Sequence, residues 1–234
     1  MRNLVNAIVL PAMKSWSAAS GSRLRVLPRP TDAPHAHAPG GHADRVLILG
    51  SGIAVGWGET SHDTALPGAI ARSLALRTSH GANVDVICST TMTAHTALAA
   101  LQGIALSEYD AVIVTLGMVE AFDLGSIREW RRDLTALVDF IEARSSINSR
   151  VVLVGLPPLR ALAAQGGAMG SIAERHALAL NDVLFDLSEE FTTAQYVALS
   201  DTVIPITAGD GDGYAEWADA IAESLAPMLK VSAL

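Results

Sequence analysis

The stretch of sequence that decides the fold runs from Arg45 to Gly56 and reads RVLILGSGIAVG. Val46 to Leu49 is a run of apolar residues with high strand propensity, and glycines at positions 50 and 52 end it. An apolar run that stops at a glycine turn predicts a buried strand. In open α/β folds such turns lie at the carboxyl ends of the strands, where ligands bind. The sequence therefore places a candidate binding site at this turn.

Strand-like and helix-like stretches alternate along the rest of the chain. The predicted strands are short β-branched runs, and the predicted helices carry apolar residues at three- and four-residue spacing. This alternation predicts parallel strands with helices on both faces, which is a three-layer α/β/α sandwich around a five-stranded sheet. The predicted strands are 46–49, 84–88, 111–116, 151–156 and 196–199, and the predicted helices are 66–77, 93–106, 127–144, 171–190 and 214–229.

Composition bounds the class of protein. The chain has 234 residues, of which 50% are hydrophobic, so it can bury the core of one full domain. Its net charge of -8 and pI of about 5.3 argue against a nucleic-acid partner, because phosphate binding requires clustered Lys and Arg. Cys88 is the only cysteine, so no intramolecular disulfide can form.

The first 44 residues differ from the rest. Residues 1–27 are basic and apolar without an acidic residue, and residues 28–44 are rich in proline and histidine. The second stretch is interpreted as a linker to a domain at 45–234, because its composition cannot build a core. Three histidines in it are a candidate metal set, but the linker interpretation is favoured. These histidines are His35, His37 and His42.

Three interpretations of residues 1–27 stay open. Asn6 and Pro11 interrupt the apolar segment, which argues against a secretory signal without eliminating it. The segment from Leu4 to Met13 is about half of the roughly 20 residues that a membrane-spanning helix needs. A basic, apolar segment of this kind either packs on the domain or is disordered, or lies on an anionic membrane surface. We expect a cytoplasmic protein, with peripheral membrane contact through residues 1–27 as the alternative.

Four short motifs follow the predicted strands. In order and spacing they resemble the SGNH hydrolase superfamily, the GDSL-type esterases and lipases, over residues 45–230. That family carries a Gly-Asp-Ser nucleophile turn, a glycine loop, a Gly-x-Asn-Asp turn and a late Asp-x-x-His. The resemblance implies a flavodoxin-like parallel sheet and a site for ester cleavage. The motifs here are Gly50-Ser51-Gly52, Ser89-Thr90-Thr91-Met92-Thr93, Gly117-Met118-Val119-Glu120 and Asp201-Thr202-Val203-Ile204-Pro205.

The residues that would carry this chemistry are replaced. Gly52 stands at the nucleophile position, Val119 at the oxyanion asparagine and Ile204 at the histidine, while Thr91 lies where the glycine loop is expected. Glycine offers no oxygen for acyl attack, and valine offers no donor for an oxyanion. Asp201 remains, without an imidazole to orient. The sequence therefore predicts a pseudo-esterase that has lost its catalytic groups.

Two polar groups survive in these motifs. Ser51 is the candidate alternative nucleophile, although a shift by one residue turns its side chain away from the position of the family serine. Glu120 keeps a carboxylate, for which the resemblance implies a structural role in the loop. The predicted ligand cleft consists of Ser51, Gly52, Trp57, Thr91, Gly117, Val119, Glu120, Asp201 and Ile204.

Two further patterns suggest other chemistry. The Gly50-x-Gly52 turn is compatible with dinucleotide binding, but Val55 occupies the third glycine position. The residues Ser61-His62-Asp63 have the types of a catalytic triad, yet consecutive residues cannot face one another, so they are interpreted as helix caps. We expect neither a cofactor nor a metal.

The function predicted from the sequence is binding. The replacement of polar groups by valine and isoleucine favours a small acyl or other apolar ligand in the cleft, or a scaffold role. The alternative is a weak or non-standard carboxylic-ester hydrolase that uses Ser51 or another nucleophile.

Overall fold

The computed structural model describes residues 26–159, 168–199 and 212–231. Strands and helices alternate over most of this length, because short β-branched runs alternate with amphipathic stretches. Two 3₁₀ turns, Gly52–Val55 and Leu106–Glu108, complete the described elements. In chain order the elements are β1 (His35–Ala38), β2 (Ala43–Gly50), α1 (Leu66–Thr78), β3 (Gly81–Cys88), α2 (Ala94–Ala100), β4 (Ala111–Thr115), α3 (Met118–Asp123), α4 (Ile127–Glu142), β5 (Arg150–Val154), α5 (Ala168–Glu190), β6 (Ala194–Val197) and α6 (Asp212–Val231).

One twisted sheet forms the middle layer. Its strand order is β1-β3-β2-β4-β5-β6, and β2 to β6 are parallel. The five parallel strands have the flavodoxin-like order, with β2 between β3 and β4. Val46 to Leu49 in β2 are fully buried, as expected of a strand covered on both faces. The predicted α/β/α sandwich is confirmed.

Helices cover both faces of the sheet. Leu47 and Leu49 face the layer of α2, α4 and α5, whereas Val46 and Ile48 face α1 and α6. Alternate residues of a strand point to opposite faces, so one buried strand supplies both cores. In α4 the predicted apolar stripe is buried from Trp130 to Ile141. The indole N–H of Trp130 also donates to the carbonyl of Leu180 at 3.2 Å, which ties α4 to α5.

The stretch interpreted as a linker contributes a strand. His35–Ala38 pairs antiparallel with β3, so the sheet has six strands rather than the predicted five. Ala36 and Ala38 are buried on the side of α1, while His35 and His37 alternate to the other face. The two-residue period of His-Ala-His-Ala fits a half-buried edge strand, and Pro34 and Pro39 stand outside it, where no ladder hydrogen bond is lost.

Helix α2 is shorter than predicted. The predicted helix 93–106 ends at Ala100, and Gly103 has a positive φ of 87° before the 3₁₀ turn at Leu106. A left-handed residue cannot continue a right-handed helix.

The basic, apolar segment cannot be placed in this architecture. Residues 1–25 lie outside the described residues, so their role stays a prediction. In the part of the chain that the structure describes, no helix is both long enough and apolar enough to cross a membrane.

The edge strand generates a test. Ala36→Asp places an unpaired charge between β1 and α1, and we expect it to lower the free energy of unfolding by about 3 kcal/mol. His37→Ala, on the exposed face of the same strand, should cost less than about 0.5 kcal/mol. Urea unfolding followed by circular dichroism measures both. Equal, small effects would show that the segment behaves as a linker.

Candidate functional site

The candidate site lies at the carboxyl ends of β2 and β4. The connection after β2 leads to β3 on one side, and the chain then returns to β4 on the other side of β2. This change of direction opens a crevice, and ligands of flavodoxin-like folds bind there. The Gly50-Ser51-Gly52 turn and the Gly117 turn, both quoted in the sequence motifs, meet at this point.

The first turn is held against the end of β4. Ser51 N–H donates to the carbonyl of Thr115 at 2.9 Å, and the Thr115 hydroxyl donates to the carbonyl of Ser51 at 3.3 Å. A Cβ atom on Gly50 would lie 2.2 Å from the Thr115 carbonyl oxygen. Only glycine permits this approach of the two backbones, so the position of the turn relative to β4 is fixed.

Gly52, which the resemblance aligns with the family nucleophile, has a backbone conformation that suits glycine. Its φ is 60°, in the left-handed region that costs other residues on the order of 1 kcal/mol. A Cβ atom at this position would lie 2.9 Å from the terminal methyl carbon of Met118. A side chain here would therefore displace the methionine. The space beside this position is already filled with an apolar group.

Met118 and Leu156 close the cleft. Both are nearly completely buried, and the cleft that they share with Ser51 has a volume of only about 10 Å³. This is the space of about one water molecule. The described residues around it are Ser51, Gly52, Ile53, Thr115, Leu116, Met118, Val154, Gly155, Leu156 and Pro157.

Sequence reasoning did not identify Met118 as a site residue. In the Gly-x-Asn-Asp pattern it stands at x, where any residue is allowed, so the motif carries no signal. It also missed Asn181 of α5, whose amide binds both backbone groups of Leu156, accepting from N–H at 2.8 Å and donating to C=O at 3.2 Å. A polar residue next to the buried Leu180 was the available signal for Asn181.

Ser51, the candidate alternative nucleophile, lines this cleft. The residue is fully buried, and its hydroxyl has no hydrogen-bond partner among the described residues. A serine hydroxyl is a weak nucleophile unless an adjacent base removes its proton. No histidine is among the described residues around the cleft. Among the described residues around the cleft, Ser51 therefore has no histidine to remove its proton.

All seven histidines of the chain fall within the described residues, and five of them bind other polar side chains. The partner atoms lie between 2.7 and 3.7 Å from ring Nδ1. His176 of α5 is different, because burial lowers its pKa and its Nε2 has no partner among the described residues. His42 is exposed between β1 and β2. The five pairs are His35–Asp85, His37–Asn83, His62–Asp32, His80–Asp44 and His95–Asp133.

Glu120 binds backbone and lies off the cleft. Its Oε1 accepts from the N–H of Ala94 at 2.8 Å, which joins α3 to the start of α2. Burial raises the pKa of this carboxyl, and the bond from Ala94 opposes the shift. Val119 is half-buried beside Glu120 and is not among the residues around the cleft.

Of the remaining predicted cleft residues, Thr91 and Trp57 lie away from the cleft. Thr91 is exposed, and Trp57 is buried beside Tyr214, whose hydroxyl donates to the Trp57 carbonyl at 3.0 Å. Gly117 has a φ of 106°, and a Cβ there would lie 2.8 Å from a methyl carbon of Leu156. The absence of a side chain at Gly117 therefore allows Leu156 to pack in the wall of the cleft. Asp201 and Ile204 lie outside the described residues.

The Ser89–Thr93 loop caps a helix. The Thr93 hydroxyl accepts from the N–H of Thr96, and the Thr96 hydroxyl accepts from the N–H of Thr93. This reciprocal capping satisfies donors at the start of α2.

The caps predicted at Ser61-His62-Asp63 are not formed. Helix α1 begins after Ala65, which makes no side-chain cap hydrogen bond. Instead, the Ser61 hydroxyl donates to Asp32 at 2.8 Å, and Asp32 also receives the backbone N–H and ring Nδ1 of His62. Burial raises the pKa of Asp32, but the bonds from Ser61 and His62 outweigh it and lower the pKa to about 2. Asp32 therefore fastens the segment before β1 to the loop before α1.

Comparison with known proteins bears on the fold. No protein-family model matches the sequence, and no curated protein does. Among solved structures, the lipase Lip_vut3 from a goat rumen metagenome superimposes with a TM-score of 0.64 at 12% identity, covering 77% of this chain and 97% of its own. An aryl esterase of M. smegmatis gives 0.58 at 16% identity, with 79% and 99% covered.

A third similar structure carries the name of the resembling family. The GDSL-like lipase of Parabacteroides merdae has a TM-score of 0.55 at 14% identity, and the match covers 81% of this chain and 98% of that one. Because identities this low establish architecture and not activity, only the fold follows from them. The chain has the SGNH hydrolase-like fold of GDSL-type lipases and esterases.

The Asp32 contacts predict a dependence of stability on pH. The pKa of Asp32 in the folded protein, about 2, is below its ordinary value of 3.8, so the folded state binds fewer protons. Its stabilisation is complete above pH 3.8 and is lost as the pH falls towards 2. Because the side chain is 43% exposed, we expect Asp32→Asn to cost about 0.5 to 1 kcal/mol at pH 7.

Urea unfolding at several pH values measures this difference. The gap between wild type and Asp32→Asn should narrow as the pH falls from 5 to 3. Asp63→Asn is the matched control, because Asp63 is 69% exposed and its ion pair with Arg72 spans 3.5 Å. A gap that stays constant with pH would contradict the assigned role of Asp32.

Proposed function

We propose that this chain is a non-hydrolytic binding protein built on the SGNH hydrolase-like fold, and that its ligand carries a small acyl or other apolar group. One observation carries the proposal. The nucleophile position is a glycine in a left-handed conformation, and the Met118 side chain fills the space next to it. The candidate cleft thus presents apolar surface where a hydrolase presents a reactive oxygen.

Loss of hydrolysis is supported by the replacement of each group that acyl transfer needs. The nucleophile is replaced by Gly52, the oxyanion donor by Val119 and the base by Ile204 in the sequence. Removing one oxyanion donor alone raises the barrier by about 3 kcal/mol. None of the seven histidines is among the described residues around the cleft. These losses together remove the nucleophile, its activation and the stabilisation of its transition state.

An acyl ligand fits the chemistry of the cleft. Val154, Leu156 and Met118 provide apolar walls, and the Ser51 hydroxyl provides a polar atom for a carbonyl or carboxyl oxygen. The free volume of about 10 Å³ is too small for an acyl chain, so the ligand must displace a side chain. Met118 is suited to this because its unbranched thioether changes rotamer at low cost. In this proposal Met118 is therefore the side chain that moves to admit the ligand.

Two other functions are outcomes of the same experiments. A scaffold without a ligand shares the inactive site but binds no acyl compound. A weak ester hydrolase that uses Ser51 requires the Ser51 hydroxyl to reach a substrate. That residue is fully buried, and its hydroxyl has no hydrogen-bond partner among the described residues.

Active-site labelling tests hydrolysis. We expect no labelling by a fluorophosphonate and no cleavage of p-nitrophenyl acetate above the background of a denatured sample. We expect Gly52→Ser alone to remain inactive, because the added side chain needs the space of Met118 and has no base. Stoichiometric labelling of the wild type that disappears in Ser51→Ala would establish the hydrolase instead.

Ligand binding is tested by shortening the Met118 side chain. Met118→Ala removes the side chain that fills the cleft, so we expect it to bind short-chain fatty acids about tenfold more tightly than the wild type in calorimetric titrations. Met92→Ala is the matched control, since Met92 is equally buried in the same core but does not line the cleft.

Stability measurements complete the comparison of the two methionine variants. Both substitutions should lower the free energy of unfolding by about 2 to 4 kcal/mol. Only Met118→Ala should change binding. If neither the wild type nor Met118→Ala binds any acyl compound, the acyl proposal fails and the scaffold role is left.

A further inference from the structure

A second cavity lies at the opposite end of the sheet. It occupies the amino-terminal ends of β5 and β6 and has a volume of about 240 Å³. This approaches the lower limit of small-molecule sites, about 300 Å³. Along β5 it is about 13 Å from the cleft described above. The residues around it are Ile141, Glu142, Ser145, Ser146, Ile147, Ser149, Val151, Thr192 and Thr193.

Two short loops build this amino-end cavity. The loop after α4 folds back on itself, because Ser149 N–H donates to the carbonyl of Ser146 at 2.9 Å. The Arg150 guanidinium closes it further by donating to the carbonyls of Asn148 and Ser149, both at 3.1 Å. Val151 N–H then donates to the carbonyl of Thr193 at 3.0 Å, so the turn before β6 is joined to the same rung of the sheet. The walls are therefore fixed by backbone bonds.

Buried hydroxyl groups in this cavity lack partners. The Oγ atoms of Ser145 and Ser149 are buried and make no hydrogen bond within the part of the chain that the structure describes, and Ser149 is only 4% exposed. A buried polar group that stays unpaired is destabilising, so native proteins pair such groups with protein, water or ligand. Two of them belong to residues around one open cavity, and rotation about χ1 of each serine would turn its hydroxyl towards a molecule there.

The other groups define the ligand chemistry. The Glu142 carboxylate accepts from the Thr193 hydroxyl, and the exposed Ser146 and Thr192 add hydroxyls. No Lys, Arg or His is among the residues around the cavity, and the guanidinium of the neighbouring Arg150 is engaged with the carbonyls of Asn148 and Ser149. Hydroxyls both donate and accept, and Ile147, which is 93% exposed, supplies apolar surface. This combination suits a molecule with several hydroxyl groups and an apolar carbon face.

We infer that the amino-end cavity binds a neutral polyhydroxylated molecule of the size of a monosaccharide. The ligand hydroxyls pair with Ser145 and Ser149, its C–H face packs on Ile147, and the Glu142 carboxylate accepts one hydroxyl. The inference is independent of the acyl cleft, because the two sites share no residue.

Amide NMR tests the site. D-glucose and myo-inositol, each titrated to 100 mM into the ¹⁵N-labelled full chain, should produce saturable shifts confined to residues 141–151 and 192–194. Glucose 6-phosphate should bind at least tenfold more weakly than glucose, because it brings a charge next to Glu142. The absence of shifts with both neutral probes, or tighter binding of the phosphate, would overturn the inference.

Two variants separate binding from folding. Ser149→Ala should weaken glucose binding about 3- to 10-fold, the loss expected for one hydrogen bond, without lowering the Tm, because the hydroxyl is unpaired in the free protein. Ser145→Ala should behave in the same way. Ser224→Ala is the matched control, since its hydroxyl on α6 is also buried without a partner among the described residues. Unchanged glucose binding in both Ser149→Ala and Ser145→Ala would refute the site.

Discussion

The contact between the end of β2 and the end of β4 determines the geometry of the candidate site. Strand β2 pairs on both edges and is covered on both faces, so its last residue has no free space on any side. At Gly50 the Thr115 carbonyl oxygen comes so close that even a methyl group would collide with it. The following turn is consequently held by Ser51 and Thr115 backbone groups, and the position of every residue at this edge follows from that attachment.

Apolar side chains dominate the described residues at this edge. A hydrolase that lost only its serine would keep an asparagine and a histidine with hydrogen-bonding needs. Such needs are destabilising when they stay unmet, and the valine and isoleucine at the corresponding sequence positions have none. Met118 and Leu156 likewise close the cleft with side chains that require no polar partner. The amino end of the sheet has the opposite character, with a carboxylate and hydroxyls around an open cavity.

The segment before β2 is part of the domain and is not a spacer. Pro28 accepts from the N–H of Gly58, Pro30 packs against Gly56, and Asp32 binds Ser61 and His62. These contacts lead into the edge strand β1. A proline-rich composition therefore did not prevent order, because each proline stands where its missing N–H is not needed for the sheet.

The sequence by itself determined the layers, the parallel strands and the absence of a serine, an asparagine and a histidine at the motif positions. Those features depend on local periodicity and on residue type, which are visible along the chain. Tertiary structure alone decided that Met118 fills the space beside Gly52, that Asp32 pairs with His62 from 30 positions away, and that Ser145 and Ser149 share a cavity with Thr193. Such contacts join residues distant in sequence through the way strands are ordered and helices are packed. No local pattern encodes that arrangement, because it depends on the summed burial of the whole domain.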